Sequence, residues 1–285
     1  MFGITTKLAL RQLAKNKTFT LLNILGLTLG LTTFLLITLY LKDELSFDRY
    51  NKNADRIVRI NSDLLNDGKT TSFADAAPPV AQTLRTHYPE VEATARICPE
   101  QGVRFRHGND DITERYVATV DPDFFRIFTL PAIQGDPVRG LDRPQTLVLT
   151  SSAALRFFAT THCLNRTLIR TDDSNKLYTV VAVIEDVPAQ SSFKADVFLT
   201  IRGNPILGQN HNFYSLFPMA TFVELRTSAD KAPFDKKLAG FMRSFVSEYG
   251  AREDQSNGTF AFRLNSTPLT AIHLHSHRSD ELSNN

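Results

Sequence analysis

An uncharged run of 24 residues, Thr18 to Leu41, constrains this chain more than any other feature of its sequence. A helix of about 20 apolar residues spans the hydrocarbon layer of a bilayer, and this run contains neither proline nor a charged residue. Its threonines suit a helix because their hydroxyls can bond preceding backbone carbonyls. We therefore predict a transmembrane helix over residues 18–41.

Basic residues flank this run on its N-terminal side. Overall the chain has 32 basic and 30 acidic residues, but residues 1–17 hold four basic residues and no acidic one. By the positive-inside rule, residues 1–17 are predicted to be cytoplasmic and residues 42–285 to lie across the membrane. The first segment is either an amphipathic segment or a set of charges that only fixes the topology. Because the excess of basic charge is confined to one short segment, nucleic acid is not an expected partner. The four basic residues are Lys7, Arg11, Lys15 and Lys17.

Two other interpretations of the apolar stretches are disfavoured. A cleaved signal peptide has an apolar region of about 7–15 residues that ends at small residues, whereas this run is longer and ends in Ile37-Thr-Leu-Tyr-Leu-Lys-Asp. A second stretch without acidic or basic residues, Gly203 to Val223, contains two prolines and several amides. These groups favour a loop that leads into a strand over a second span.

Gly26 and Gly30 form a G-x-x-x-G pattern within the predicted helix. Such a strip of small residues allows two membrane helices to approach closely, which predicts a helix-packing face on the span. Glycine is also common in membrane helices that do not pair in this way, so the pattern leaves both interpretations open.

Residues 42–285 predict an α+β domain. Asp43 to Asn53 is charged and free of proline, which indicates that the membrane helix continues outward as a stalk. Strand–helix–strand units at both ends are expected to pair into one α+β lobe (54–106 and 215–270) around a β-rich inserted lobe (107–214). Residue patterns predict strands near 56–61, 93–105, 112–120, 145–150, 168–170, 178–184, 219–226 and 260–264, and helices near 78–88, 151–158 and 233–249.

Two motifs were candidates for chemistry. His273, His275 and His277 alternate, so an extended segment would point all three imidazoles to one side, as metal ligands require. The sequence offers no fourth ligand, and a solvated strand end explains the pattern equally simply. Gly68-Lys69-Thr70 lacks the first glycine of a phosphate-binding loop, because Asp63 stands at that position. The sequence therefore predicts no metal site, no cofactor and no enzymatic activity.

Cys98 and Cys163 would both lie in an oxidising compartment, which permits a disulfide. A domain of this size has ample core without one. We expect the two cysteines to remain unpaired.

Six motifs follow one another along nearly the whole chain: Lys7 to Gly30, Asp43 to Ile60, Tyr88-Pro-Glu-Val-Glu, Asp123-Phe-Phe-Arg-Ile-Phe, Val181-Ala-Val-Ile-Glu-Asp-Val-Pro with Ser192-Phe-Lys-Ala-Asp, and Pro268-Leu-Thr-Ala-Ile-His-Leu-His-Ser. In this order they resemble permeases of ABC transporters of the MacB/FtsX type, in the form typical of Bacteroidota. No single motif decides the matter, whereas the ordered set is fairly specific.

The resemblance implies the permease subunit of an ATP-driven export or mechanotransmission system in the bacterial inner membrane. A two-lobed extracytoplasmic core domain, one lobe of which is porter-like, follows the first span in that family, a cytoplasmic ABC ATPase supplies the energy, and the permease works as a dimer with possible periplasmic partners. The resemblance places Lys7, Arg11, Lys15 and Lys17 near the ATPase, and Asp43, Glu44, Asp48, Arg49 and Tyr50 in the stalk. The His273–His277 segment corresponds to the family's I-H-L-H-S stretch.

The chain departs from the family pattern in two places. Family members carry further spans after the I-H-L-H-S stretch, so we expect this chain to be a truncated permease or a fragment. Their F-G…G-K turn is replaced by the stretch that begins Phe157-Phe-Ala-Thr-Thr-His-Cys. The alternative function is a single-span envelope sensor or adaptor whose outer domain binds a ligand or partner. A neighbouring ATPase gene would favour the permease.

Overall fold

The computed structural model describes residues 11–66, 68–173, 175–204, 219–245 and 260–282. The chain divides into two compact units, Met1–Ser46 and Phe47–Asn285. We call the second unit the core domain.

The first unit contains one long helix, α1 (Lys17–Glu44), in which no residue is buried. Thr33 and Thr38 donate hydrogen bonds to the carbonyls of Leu29 (2.9 Å) and Phe34 (2.8 Å), so their hydroxyls are satisfied within the helix. Among the described residues, α1 is the one helix long and apolar enough to span a membrane. The predicted apolar helix is confirmed, and it extends slightly beyond residues 18–41.

The helix ends at Glu44, so the expectation that it continues to Asn53 is wrong. Residues 45–50 form turns. The Ser46 amide and hydroxyl both bond the carbonyl of Asp43, at 3.0 and 2.7 Å. Asp48 has a φ of 59°, a left-handed conformation that a right-handed helix does not contain.

The core domain is built on one mixed sheet. Within the described residues it has thirteen strands: β1 (Ile57–Asn66), β2 (Lys69–Phe73), β3 (Val91–Glu100), β4 (Val103–His107), β5 (Asp110–Glu114), β6 (Val117–Val120), β7 (Ala132–Gly135), β8 (Thr146–Thr150), β9 (Thr167–Arg170), β10 (Lys176–Ile184), β11 (Val197–Thr200), β12 (Ala220–Leu225) and β13 (Phe260–Pro268). The strand order is β13-β1-β12-β3-β6-β11-β8-β10-β9-β4-β5, with β2 paired to β1 and β7 to β10. Most pairs are antiparallel, whereas β8–β10 and β6–β11 are parallel.

Short helices accompany the sheet: α2 (Pro79–His87), α3 (Phe124–Ile127), α4 (Pro137–Gly140), α5 (Ser151–Phe158), α6 (Lys231–Leu238), α7 (Phe241–Phe245) and α8 (Ile272–His275). Pro79 opens α2, where a missing N–H costs nothing. The Thr150 hydroxyl caps α5 by accepting from the amide of Ala153 at 3.3 Å. With one N-terminal apolar helix and a β-rich sheet domain, the predicted α+β class is confirmed.

Three elements differ from the sequence-based prediction. The strand predicted over 93–105 is split into β3 and β4 by a turn in which Gly102 has a φ of 68°. The helix predicted over 233–249 breaks at Gly240 into α6 and α7, and residues 246–249 lie outside the described residues. The histidine segment, expected to be extended, begins with the one-turn helix α8.

Buried apolar side chains form distinct clusters in the described part of the core domain. One joins α2, α6 and α7 to β1, β12 and β13 around Leu84, Phe234 and Phe241. Another packs α5 on the middle strands around Phe157. A third contains aromatic residues such as Phe128 and draws on both predicted lobes. The division into two lobes stays a prediction, with residues 54–106 and 215–270 in one lobe and 107–214 in the other.

Candidate functional site

The first residues of the core domain, Phe47–Asn53, form what we call the junction segment. Asp48 lies at its centre and is fully buried. The Asp48 amide donates to the carbonyl of Gln190 at 2.8 Å. The Asp48 carboxylate accepts from the Ser192 amide at 3.0 Å and from the Ser192 hydroxyl. The left-handed backbone of Asp48 suits this residue type, since Asp and Asn tolerate positive φ better than most.

The environment of the Asp48 carboxyl opposes ionisation on balance. Burial raises the pKa of Asp48, and this outweighs the hydrogen bonds from Ser192 and the charge of His273, which lower it. Ser192 therefore supplies much of the stabilisation of the carboxylate form, because an unpartnered buried carboxylate is strongly disfavoured.

Further contacts hold the junction segment to two loops. The Tyr50 hydroxyl lies 3.1 Å from the Ser191 hydroxyl. The Asn51 side chain donates to the Asp48 carbonyl at 2.9 Å and accepts from the Thr129 amide at 2.9 Å. Burial also raises the pKa of Tyr50. The junction segment is thus tied to the loop that contains residues 190–192 and to the loop at residue 129.

Phe47, the first residue of the core domain, stacks on His273 of α8. The two ring centroids are 3.5 Å apart and the ring planes differ by 1°. This contact joins the start of the core domain to the segment that follows β13. It also gives His273 a packing role in place of the metal-binding role considered from the sequence.

The three histidines do not form a metal site in this arrangement. On a helix, residues two apart point in different directions, so the side chains of His273 and His275 diverge. The described residues contain no group of three or more potential ligands that could hold a metal ion.

The segment Ser276–Leu282, which we call the tail segment, is fixed in a different way. Arg59 of β1 is fully buried and forms an ion pair with Glu281. Its Nη2 donates to the Ser276 hydroxyl at 2.7 Å, and its Nε donates to Asn61 at 2.9 Å. Burial raises the pKa of Glu281, but the donors Arg59 and Ser276 outweigh this effect and hold it below its usual value.

Comparison with known proteins identifies the family. The sequence model described as the MacB-like periplasmic core domain matches residues 20–240, which is well over half of the chain. The chain belongs to this family. The resemblance to MacB/FtsX-type ABC transporter permeases is thereby confirmed. A search of the curated proteins finds no match.

Solved structures are similar to this MacB-like chain to different degrees. A domain of a permease protein from Porphyromonas gingivalis has a TM-score of 0.65 and 19% identity, covering 76% of this chain and 91% of that one. The periplasmic region of MacB from Actinobacillus actinomycetemcomitans gives 0.46 and 15%, covering 72% and 87%. The extracellular domain of the ABC-type transporter YknZ from Gram-positive bacteria gives 0.47 and 9%, covering 72% and 98%. At these identities the likeness concerns the fold alone.

These findings describe a membrane protein with an extracytoplasmic domain, in a family whose members are permease components of ABC transporters. Transporters of this class work with a cytoplasmic ATPase.

The predicted functional residues fall into three places. Lys7 lies outside the described residues, whereas Arg11, Lys15 and Lys17 are exposed. Gly26 and Gly30 are exposed on α1. Asp43 and Glu44 end α1, while Asp48, Arg49 and Tyr50 belong to the junction segment.

Sequence reasoning missed the partners of the junction segment. Ser192 and His273 each belong to a motif that resembles a motif of the family. Their partners in the fold, Asp48 and Phe47, are distant in sequence. Thr129 carried no signal.

Both cysteines are buried free thiols, as predicted. Cys98 packs with Ile201 and Met219, and Cys163 belongs to the cluster around Phe157. Burial raises the pKa of Cys98 to about 11 and also raises that of Cys163. Neither thiol is therefore activated as a nucleophile.

Proposed function

We propose that this chain is the permease subunit of an ATP-driven ABC export or mechanotransmission system. In this proposal a cytoplasmic ABC ATPase drives movement of α1, and the junction segment passes that movement to the core domain in the periplasm. The observation that carries the proposal is the buried contact between Asp48 and Ser192. It fixes the chain to the core domain within a few residues of the end of α1.

The mechanical argument rests on stiffness. Phe47 follows Ser46 directly, so any displacement of the chain at Ser46 acts first on the junction segment. That segment has several buried or half-buried hydrogen bonds and a stacked ring pair. Packed interiors deform little, and buried polar networks hold one geometry. A pull on the junction segment would therefore move the loops at residues 129 and 190–192 with it.

The N-terminus is proposed to face the cytoplasm, where Lys7, Arg11, Lys15 and Lys17 lie near the ATPase. Orientation is supported by the excess of basic residues up to Lys17 and by the absence of such an excess after Leu41. Asp43, Glu44, Asp48, Arg49 and Tyr50 are proposed as the path from the membrane to the core domain.

Co-purification with an ABC ATPase of the same cell tests the proposal. The full chain, tagged at the C-terminus, should recover the ATPase from detergent extracts. The double variant Lys15→Ala/Lys17→Ala should recover several-fold less, whereas Lys52→Ala/Lys69→Ala, with the same change of charge in the core domain, should recover as much as wild type. Failure of the wild-type chain to recover the ATPase would instead favour the single-span sensor or adaptor.

A homodimer through Gly26 and Gly30 is proposed as the working state. A Cβ added at either glycine meets no described atom within 4 Å, so substitution there does not disturb the chain itself. Gly30→Leu should therefore insert normally but reduce crosslinking between copies in membranes. Thr28→Leu, on another face of α1, is the matched control. Equal crosslinking in both variants would contradict a dimer packed at this strip.

A further inference from the structure

A cavity of about 480 Å³ opens within the core domain. One wall comes from α2 and β3, and the other from the segments around α3, α4 and the turn after β11. The two walls belong to the two lobes predicted from the sequence, and ligands are often bound where two such parts meet. Five arginines line the cavity: Arg85, Arg96, Arg126, Arg139 and Arg202.

Fewer carboxylates than guanidinium groups line this cavity. The carboxylates are Asp121, Asp123 and Asp142. Asp121 is fully engaged by Arg96, whose Nε and Nη2 each bond one carboxylate oxygen at 2.8 Å. This bidentate pair is half-buried and closes one side of the cavity.

The single carboxylate of Asp123 serves two arginines. Arg85 forms an ion pair with one of its oxygens, and the Nε of Arg126 lies 3.2 Å from the other. The Arg126 side chain is 59% exposed, so most of its guanidinium faces solvent. One negative charge thus stands between two positive charges at this wall.

Arg202 and Arg139 complete the excess of positive charge. Arg202 directs both Nε and Nη2 to one oxygen of Asp142, at 3.1 and 2.8 Å. Arg139 is 3.5 Å from Asp136, which is not part of the lining, and its side chain is 91% exposed. A pair this long and exposed is weak. Even with Asp136 included, the guanidinium groups outnumber the carboxylates.

We infer that this cavity binds a small anionic ligand that carries carboxylate or phosphate groups. Guanidinium groups present several N–H donors in one plane and bind the oxygens of such groups in pairs. The volume lies within the range of small-molecule sites, about 300–1,000 Å³. Arg126, Arg139 and Arg202 line the cavity and are more than half exposed, so their guanidinium groups can contact the ligand. Binding here would bridge the two walls of the cavity.

Isothermal titration of the full chain in detergent tests this inference, with citrate and inorganic phosphate as probes. At low ionic strength at least one probe should bind the wild type. The double variant Arg126→Gln/Arg202→Gln should bind that probe with an affinity reduced by about tenfold or more. Both side chains are more than half exposed, so the variant should stay folded. Circular dichroism checks that the double variant is folded. The conservative variant Arg126→Lys/Arg202→Lys should retain part of the binding.

Arg104→Gln is the matched control, because Arg104 is exposed on β4 and does not line the cavity. It should bind the probes as the wild type does. Preference for phosphate over citrate, or the reverse, identifies which acidic group the ligand carries. The inference is overturned if neither probe binds the wild type. It is also overturned if Arg104→Gln weakens binding as much as the double variant does.

Discussion

The junction segment and the tail segment are fixed to the same domain by opposite chemistry. In the junction segment a buried carboxylate, Asp48, is held by neutral donors from Ser192. The tail segment is held through its charged Glu281, which pairs with the buried guanidinium of Arg59 on β1. Both arrangements satisfy a charge that burial would otherwise penalise.

The two segments differ in how much of each anchor is lost when one side chain is removed. Removing a neutral donor leaves the Asp48 carboxylate with the Ser192 amide, so part of the junction should survive. Removing Arg59 leaves Glu281, which is largely buried, with the Ser276 hydroxyl and the Arg278 amide but without its cation, which is costly for a carboxylate with little access to water. The tail segment should therefore be the more fragile of the two.

The largest effect is expected from Arg59→Met. It should lower the free energy of unfolding by about 3–5 kcal/mol, since it breaks a buried ion pair by removing one partner. Urea unfolding of the full chain in detergent, followed by circular dichroism, measures this. Arg104→Met is the control, because its side chain is exposed on β4. A loss below about 1 kcal/mol would show that the ion pair does not anchor the tail segment.

Ser192→Ala should cost less, about 1–3 kcal/mol, because it removes one of the donors to the buried Asp48 carboxylate. The same unfolding experiment applies. Ser244→Ala is the matched control, since the Ser244 hydroxyl is exposed and bonds a backbone carbonyl. If Ser192→Ala and Ser244→Ala lower the free energy of unfolding equally, the Ser192 hydroxyl does not stabilise the junction segment.

The tail segment should respond to pH through Asp75. Burial and the charge of Asp280 raise the pKa of Asp75 to about 7, whereas Arg59 lowers it. Because the folded-state pKa exceeds the unfolded one, the native state favours the protonated form. The stability that this form provides is present at low pH and lost as pH rises through about 7.

We expect the free energy of unfolding to fall by about 1–2 kcal/mol as the pH rises from about 5 to about 8. Asp75→Asn should remove most of this dependence. One oxygen of Asp75 has no hydrogen-bond partner among the described residues, so the amide disturbs few contacts. A wild-type slope that persists in Asp75→Asn would assign the pH dependence to another group.

The smallest effect is expected at the stacked rings. A double-mutant cycle with Phe47→Leu and His273→Leu should give a coupling energy of about 0.5–1.5 kcal/mol. The cycle uses the unfolding experiment described above. Additive single effects would mean that the two rings are neighbours without measurable mutual stabilisation.

Features that depend on local composition could be predicted from the sequence. The apolar run of α1 is recognisable because a membrane span requires uncharged residues along its whole length. α2 is recognisable because proline opens it, and the alternation of β-branched residues indicates several strands. The order of motifs was sufficient to indicate the family.

Features that depend on distant partners could not be predicted. The sequence around Asp48 predicts a solvent-exposed charge in a stalk. Asp48 is instead buried against Ser192, which lies 144 residues away. Arg59 alternates with apolar residues as a surface strand residue would, yet Glu281 lies 222 residues away and allows it to be buried. α1 ends at Glu44, and the left-handed turn at Asp48 that follows is held by Gln190 and Ser192, which are distant in sequence.

The central claim is that the contact between Asp48 and Ser192 passes movement of α1 to the core domain. Hydrogen exchange of residues 188–193 tests this claim most directly. In a complex with the ATPase, adding a non-hydrolysable ATP analogue should change exchange in this loop. Ser192→Ala should reduce that change while the ATPase still co-purifies, and Ser244→Ala should leave it intact. The account would be contradicted if the loop responds equally in wild type and Ser192→Ala, or if the analogue alters exchange in neither.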